Sequence, residues 1–150
     1  MPYIKLYVHL VWSTKNRVKY LDSLSLRKKM WQHIHENAHE KGIQLDFVNG
    51  YSDHCHCLVS LECDQTLKSV VQLIKGESSF WINQQKIVNG HFGWQDSYFA
   101  IGVSESRIEA VRNYIKTQED HHNRKTWDEE CEELLLRHGF VKVKDSDSGG

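Results

Sequence analysis

The stretch 43-IQLDFVNGYSDHCHCLVSLEC-63 contains two runs of alternating apolar residues, separated by a segment rich in turn-forming residues. This pattern predicts a β-hairpin, with its turn around residues 49–52 and its second strand over residues 54–62. Residues two apart on a strand point to the same face of a sheet. We therefore expect His54 and His56 to project together from this hairpin.

In the rest of the chain, the spacing of apolar residues changes several times between the period of a strand and that of a helix. The predicted elements are a strand, a helix, the hairpin, a helix, a strand and a helix, over residues 3–15, 23–41, 43–62, 66–85, 91–104 and 104–125. The order β-α-β-β-α-β followed by a helix predicts an α+β, ferredoxin-like fold: an antiparallel sheet with helices on one face, plus C-terminal helices. The acidic segment 127–140 is expected to form the terminal helix. We interpret residues 1–140 as a single domain and residues 141–150 as a disordered tail.

Composition favours a single globular domain. Of 150 residues, 39% are apolar, 26% are charged and one is proline. No run approaches the roughly 18 apolar residues of a membrane span, and the N-terminus does not resemble a signal peptide. We therefore expect a cytoplasmic protein with no membrane contact. The net charge is −1 and residues 1–126 carry +3, an excess too small to indicate a nucleic-acid partner.

Three of the four cysteines fall close together, at Cys55, Cys57 and Cys63. With no export signal they are expected to be reduced, and a free cysteine behaves as a small hydrophobic residue. A zinc site formed by these thiols with the two histidines is the alternative. It is disfavoured because His54 and Cys55 point to opposite faces of a strand.

A second His-x-His pair, His33 and His35, lies in the predicted helix 23–41. Residues two apart on a helix point about 200° apart, so this pair cannot share a ligand. We expect both side chains to face solvent. The same spacing on a strand, as in the hairpin, places both side chains on one face, where they can share a ligand.

Tyr114 and Gln118 are four residues apart on the predicted helix 104–125 and therefore share a face. Two histidines and a carboxamide oxygen would form an incompletely filled ligand set. Such a set suits Mg²⁺ or Mn²⁺ better than structural zinc, and it leaves positions for phosphate oxygens. The tyrosine could then attack a polarised phosphodiester. The residues alone leave open a tyrosine at the rim of the core and an exposed glutamine.

Four segments occur in the order and spacing of the single-tyrosine HUH transposases, and the chain resembles that family over roughly residues 3–125. The segments are VHLVWSTKNR (8–17), DHCHCLVSL (53–61), QLIKGESSFWIN (72–83) and VRNYIKTQ (111–118). Members of this family move hairpin-ended insertion sequences as single-stranded DNA. The His-hydrophobic-His strand and the Tyr-x-x-x-Gln helix are the specific parts of the resemblance.

The resemblance implies a role for each motif residue. His54 and His56 would bind the divalent metal, Mg²⁺ or Mn²⁺, and Gln118 would complete its protein ligands. Tyr114 would be the nucleophile that forms a 5′-phosphotyrosine intermediate with single-stranded DNA. The resemblance also implies a homodimer in which the tyrosine helix can serve the partner's histidines. One departure is Cys55, where a plain hydrophobic residue is more usual.

Residues that contact DNA are harder to identify from the sequence. Lys15, Asn16 and Arg17 follow the first strand, and Lys75 lies in the helix 66–85, so contacts to phosphate are expected there. Two alternative functions remain open. One is a non-catalytic module that binds single-stranded nucleic acid, and the other is a domesticated relative that processes chromosomal palindromes.

Overall fold

The alternating apolar runs form the strands of one antiparallel sheet. The computed structural model describes residues 2–121 and 125–139. The strands are β1 (Tyr7–Ser13), β2 (Gln44–Tyr51), β3 (His54–Ser60) and β4 (Phe99–Val103). Their order across the sheet is β2-β3-β1-β4, which confirms the predicted ferredoxin-like arrangement.

Helices cover both faces of this sheet. They are α1 (Leu24–Glu40), α2 (Leu67–Gln85), α3 (Ile108–Lys116), α4 (Gln118–His121) and α5 (Trp127–His138). The helices α1 and α2 pack on one face, where β1 contributes Val8, Leu10 and Trp12 to the main core. The C-terminal helices α3 and α5 pack on the opposite face, against Leu58 and Val11 respectively. The central strands are therefore buried from both sides.

The last strand is shorter than the predicted range 91–104. Phe92 and Trp94 are buried in the main core, but they lie outside β4. The side chain of Asn83 accepts a hydrogen bond from the backbone N–H of Phe92 (2.8 Å) and donates one to its carbonyl (3.0 Å). Because a side chain satisfies these backbone groups, the segment needs no ladder partner there.

The hairpin turn is formed by residues 52 and 53 rather than by the predicted residues 49–52. Gly50 belongs to β2 and is needed for close packing, not for the turn. A Cβ atom at Gly50 would lie 2.2 Å from the carbonyl oxygen of His54 and 2.9 Å from Cζ2 of Trp31. The sequence pattern placed the turn too early because a glycine is usually read as a turn residue.

The helix α1 begins after Ser23, whose hydroxyl accepts a hydrogen bond from the N–H of Leu26 (3.1 Å). On this helix His35 is exposed, as expected. The same prediction was wrong for His33, which is half-buried. Its ring stacks on Trp81 with centroids 4.1 Å apart, and its Nε2 lies 2.8 Å from Glu77 on α2.

Cys55 and Cys57 point into the main core, as the alternation predicted. Both are fully buried, with their sulfur atoms 3.8 Å apart, and burial raises the pKa of the Cys55 thiol. In the described part of the chain, the helices are too short or too polar to cross a membrane.

Lys75 on α2 fastens the segment that precedes β4. Its ammonium group donates hydrogen bonds to the carbonyl oxygens of Gln95 and Asp96, and it lies 5.9 Å from the ring centre of Trp12. Burial lowers the pKa of Lys75 from 10.5 to about 8, partly offset by the negative charge of Asp96.

Replacing two glycines should test the packing at the hairpin. Gly50→Ala is expected to lower the free energy of unfolding by about 3 kcal/mol, since the added methyl group meets backbone atoms that cannot move away. Gly76→Ala is the control: it lies within α2, and apart from the adjoining backbone of that helix nothing lies within 4 Å of the new Cβ. That change should stabilise the protein by about 1 kcal/mol through helix propensity. Urea unfolding measures both, and equal effects would contradict the packing argument.

The lowered pKa of Lys75 should make the free energy of unfolding depend on pH. Between pH 8 and 10.5 the unfolded state still binds the lysine proton whereas the folded state has lost it, so wild type gains stability with rising pH. Lys75→Met should lack this gain. The free energy of unfolding of wild type minus that of the variant should therefore increase above pH 8. Urea unfolding at several pH values measures this difference. The exposed Lys29→Met is the control, and a constant difference for Lys75→Met would refute the expectation.

Candidate metal and tyrosine site

Two histidines from the central strand β3 form the base of the site. His54 and His56 project from the face opposite the main core, toward α3 and α5, and both are fully buried. Their ring centroids lie 5.1 Å apart. The strand period thus brings the two rings together, as the sequence predicted.

Each histidine ring is oriented by a second side chain. Nδ1 of His54 lies 2.9 Å from Oδ1 of Asp53, and Nδ1 of His56 lies 2.9 Å from Nε2 of His9 on β1. Burial, followed by the neighbouring charge of His56, lowers the pKa of His9 to about 3, so His9 is neutral at pH 7. With Nδ1 of both rings engaged in this way, their Nε2 atoms are directed into the same space.

Glu130, in the first turns of α5, closes this space. It is 3% exposed, with Oε1 lying 3.1 Å from Nε2 of His56 and Oε2 lying 3.5 Å from Nε2 of His54. The indole of Trp127 stacks on the His54 ring, with centroids 4.3 Å apart and planes 15° from parallel. These two residues, three apart on α5, hold the helix against the histidines.

Tyr114 and Gln118 join the same cluster from α3 and α4. Oε1 of Gln118 lies 3.1 Å from Nε2 of His54, and its Nε2 donates to the Tyr114 carbonyl oxygen at 3.3 Å. The Tyr114 hydroxyl donates a hydrogen bond to Oε1 of Glu130. Its ring meets the His56 ring edge to face, with centroids 5.6 Å apart. The tyrosine is therefore beside the histidines of its own chain.

The environment of Tyr114 favours the neutral phenol. Burial raises its pKa well above 10, and the negative charge of Glu130 and the hydrogen bond to it raise the pKa further. Activation of this oxygen as a nucleophile therefore requires a positive charge close by, or a base that takes the proton.

The donor atoms in this cluster fit a divalent cation. One ligand atom each from His54, His56 and Glu130 all lie within 4.8 Å of one another. Gln118 adds a carboxamide oxygen on the His54 side. Two imidazole nitrogens, a carboxylate and a carboxamide form a mixed set of nitrogen and oxygen donors, which suits a divalent metal. Within the described residues this group includes no cysteine, so the zinc alternative loses its thiol ligands.

The predicted DNA contacts lie in two places. Lys15, Asn16 and Arg17 form an exposed 3₁₀ turn directly after β1, and Arg17 pairs with Asp128 of α5. Lys75 donates hydrogen bonds from its ammonium group to two backbone carbonyl oxygens. A role for these four residues in DNA binding stays a prediction.

Four residues of the cluster were missed by sequence reasoning: His9, Asp53, Trp127 and Glu130. His9 alternates with apolar residues on β1, so the pattern assigned it to a polar face. Glu130 stands among five acidic residues between 128 and 133 that resemble a solvated helix face. The only available signal was the apolar spacing of Trp127 and Leu134, which marks the face on which Glu130 also lies.

Comparisons with known proteins agree on the family. A family model described as "Transposase IS200 like" matches residues 2–118. The chain is 25% identical over 122 residues to the ISDra2 transposase TnpA of Deinococcus radiodurans, covering 77% of this chain and 86% of that protein.

Two solved structures share the fold. A candidate transposase from Deinococcus radiodurans R1 has a TM-score of 0.59 and 24% identity, covering 78% of this chain and 93% of that one. The REP-associated tyrosine transposase bound to a REP hairpin has a TM-score of 0.61 and 17% identity, covering 100% and 94%. On the strength of the family match, this chain belongs to the IS200-like transposase family.

Proposed function

We propose that this protein cleaves and rejoins single-stranded DNA at hairpin-marked ends, with Tyr114 as the nucleophile and Mg²⁺ or Mn²⁺ as the cofactor. One observation carries the proposal: the Tyr114 hydroxyl and a buried donor set meet in a single chain. His54, His56 and Gln118 would hold the cation, and Glu130 would be a further ligand or partner of the tyrosine.

The cleavage step follows from the groups around Tyr114. Its oxygen bonds to phosphorus while the bond from phosphorus to the 3′ oxygen breaks and that oxygen takes up a proton from water, which leaves a 5′-phosphotyrosine and a free 3′ hydroxyl. The carboxylate of Glu130, already hydrogen-bonded to the tyrosine, is suitably located to receive the phenolic proton. A bound divalent cation would polarise the phosphate as a Lewis acid.

Rejoining is the same reaction in reverse with a different 3′ hydroxyl. That hydroxyl loses its proton as it attacks phosphorus, the bond to Tyr114 breaks, and the phenolate takes up a proton. The phosphotyrosine keeps the energy of the phosphodiester bond, so the cycle needs no ATP. Each cleavage is thereby coupled to a later ligation, which is what excision and insertion of a DNA segment require.

The partners belong to the same proposal. DNA hairpins are the expected ligand, since the solved REP-associated tyrosine transposase is bound to a REP hairpin. A homodimer in the cytoplasm is the expected form. The dimer is tested by measuring the molar mass in solution, and a monomeric mass would refute it without touching the chemistry, since Tyr114 lies beside its own histidines.

A covalent adduct would test the nucleophile and the metal together. The protein is incubated with Mn²⁺ or Mg²⁺ and single-stranded DNA spanning the ends of its source element, or chromosomal palindromes from the same genome. A denaturing gel should show a protein–DNA band for wild type. EDTA, Tyr114→Phe and His56→Ala should each abolish that band, because they remove the cation, the attacking oxygen and a metal ligand.

The outcome separates the candidate functions. A band with element ends supports transposition, whereas a band restricted to chromosomal palindromes supports a domesticated enzyme. Tight hairpin binding without a band, in either metal and with all DNAs, would replace the proposal by a non-catalytic binding module.

Metal titration would test the part of Glu130. Glu130→Gln removes one negative charge from the donor set and should weaken Mn²⁺ binding by about tenfold or more, the loss typical of changes next to a metal site. Glu132→Gln removes the same charge from an exposed position on α5 and is the matched control. Calorimetric titration measures both variants. If they bind Mn²⁺ equally well, Glu130 is not a ligand.

A further inference from the structure

The helix that carries Tyr114 stops before it reaches Gln118. The last residue of α3 is Lys116, and Thr117 leaves the helical conformation with φ −99° and ψ 25°. Asn49 on β2 donates its side-chain N–H groups to the carbonyl oxygens of Ile115 (3.0 Å) and Lys116 (3.2 Å). Gln118 therefore begins a separate helix of four residues, α4, and α3 alone does not fix its direction.

Arg27 on α1 fastens α4 from the other side. Its guanidinium binds the Glu119 carboxylate through two parallel hydrogen bonds, Nε to Oε1 at 2.8 Å and Nη2 to Oε2 at 3.0 Å. The same group donates from Nη1 to the Leu21 carbonyl oxygen at 2.8 Å and lies 4.7 Å above the ring centre of Tyr51. A two-pronged pair of this kind fixes orientation as well as distance.

In the pair formed by Arg27 and Glu119, the arginine side chain is held rigidly. Arg27 is 6% exposed, and its guanidinium is held by a carbonyl oxygen, an aromatic ring and a carboxylate at once. Glu119 is half-exposed and directly follows Gln118 in the chain. A rotation of the single turn α4 would break the paired hydrogen bonds and move the Gln118 oxygen away from His54.

We propose that Arg27, acting through Glu119, is a positioning residue that holds the Gln118 carboxamide oxygen against His54 and so completes the metal-binding set. This inference rests on the proposed function. The guanidinium of Arg27 contacts Glu119, Leu21 and Tyr51. Its contribution is to the affinity for the metal, and the chemical step of a metal-loaded protein does not depend on it.

A matched pair of variants tests the proposal. Glu119→Gln keeps the shape of the side chain but loses the charged, two-pronged pair with Arg27. Asp46→Asn breaks a second pair of the same geometry, in which Arg112 binds Asp46 at 2.6 Å and 2.9 Å and ties α3 to β2. The control thus disturbs the neighbouring helix α3, which carries Tyr114, without touching α4.

Two measurements are made on each full-length protein. Unfolding by urea in EDTA gives the structural cost, and titration with Mn²⁺, followed by the fluorescence of Trp127 and the other tryptophans, gives the metal affinity. Glu119→Gln should bind Mn²⁺ about tenfold more weakly than wild type, whereas Asp46→Asn should stay within about twofold. Arg27→Lys keeps the charge but not the paired geometry, and should behave like Glu119→Gln.

Formation of the covalent protein–DNA adduct is the third measurement. The covalent adduct of Glu119→Gln should recover at saturating Mn²⁺, whereas that of Tyr114→Phe should not. Unchanged Mn²⁺ affinity in Glu119→Gln and Arg27→Lys, or equal weakening in Asp46→Asn, would overturn the positioning role. If wild type itself binds no Mn²⁺, the metal site of the proposed function fails, and the role of Arg27 fails with it.

Discussion

Strand β3 is buried on both faces, and its two-residue period keeps the hydrophobic core and the candidate site apart. Cys55 and Cys57 face the core, whereas His54 and His56 face α3 and α5. A shift of the pairing register by one residue would exchange these sets, placing imidazoles in an apolar core and thiols in the polar cluster. Pairing with β1 and β2 on both sides makes such a shift costly. The position of every other functional group is built on this register.

The polar cluster is stable only because each buried group has partners. Asp53 and His9 engage the outer nitrogens of the two histidines, and the phenol of Tyr114 donates to Glu130. A carboxylate that is 3% exposed is costly to bury unless positive charge lies close by. Protonated imidazoles or a divalent cation would supply that charge, and a cation would do so without changing the protonation of the histidines. Both the burial of the Glu130 carboxylate and the types of donor atom around it thus favour a divalent cation in this cluster.

Local periodicity was enough to predict the strands and the histidine face, because each depends on residues close in sequence, and the order of the elements along the chain then indicated the ferredoxin-like arrangement. It was also enough to bring Tyr114 and Gln118 to one side, although a helix break at Thr117 separates them. What it could not predict were non-local matches. His9 is polar on a strand that is covered from both sides, and Glu130 is acidic on an acidic helix. Each is buried only because another element packs over it, and no local pattern reports that packing.

The helix α5 lies outside residues 2–118, the range that the family model matches. It nevertheless supplies the carboxylate at Tyr114, the ring on His54 and the partner of Arg17, which sequence reasoning assigned to DNA. Under the proposed function, Asp128 of α5 therefore pairs with a guanidinium that a phosphate of the substrate would bind. His54, His56 and Gln118 are fully buried, so a phosphodiester can reach the donor set only if side chains packed over it move. Binding of the DNA strand and release of the Arg17–Asp128 pair are then two parts of one equilibrium, and the stability of that pair raises the DNA concentration needed to shift it.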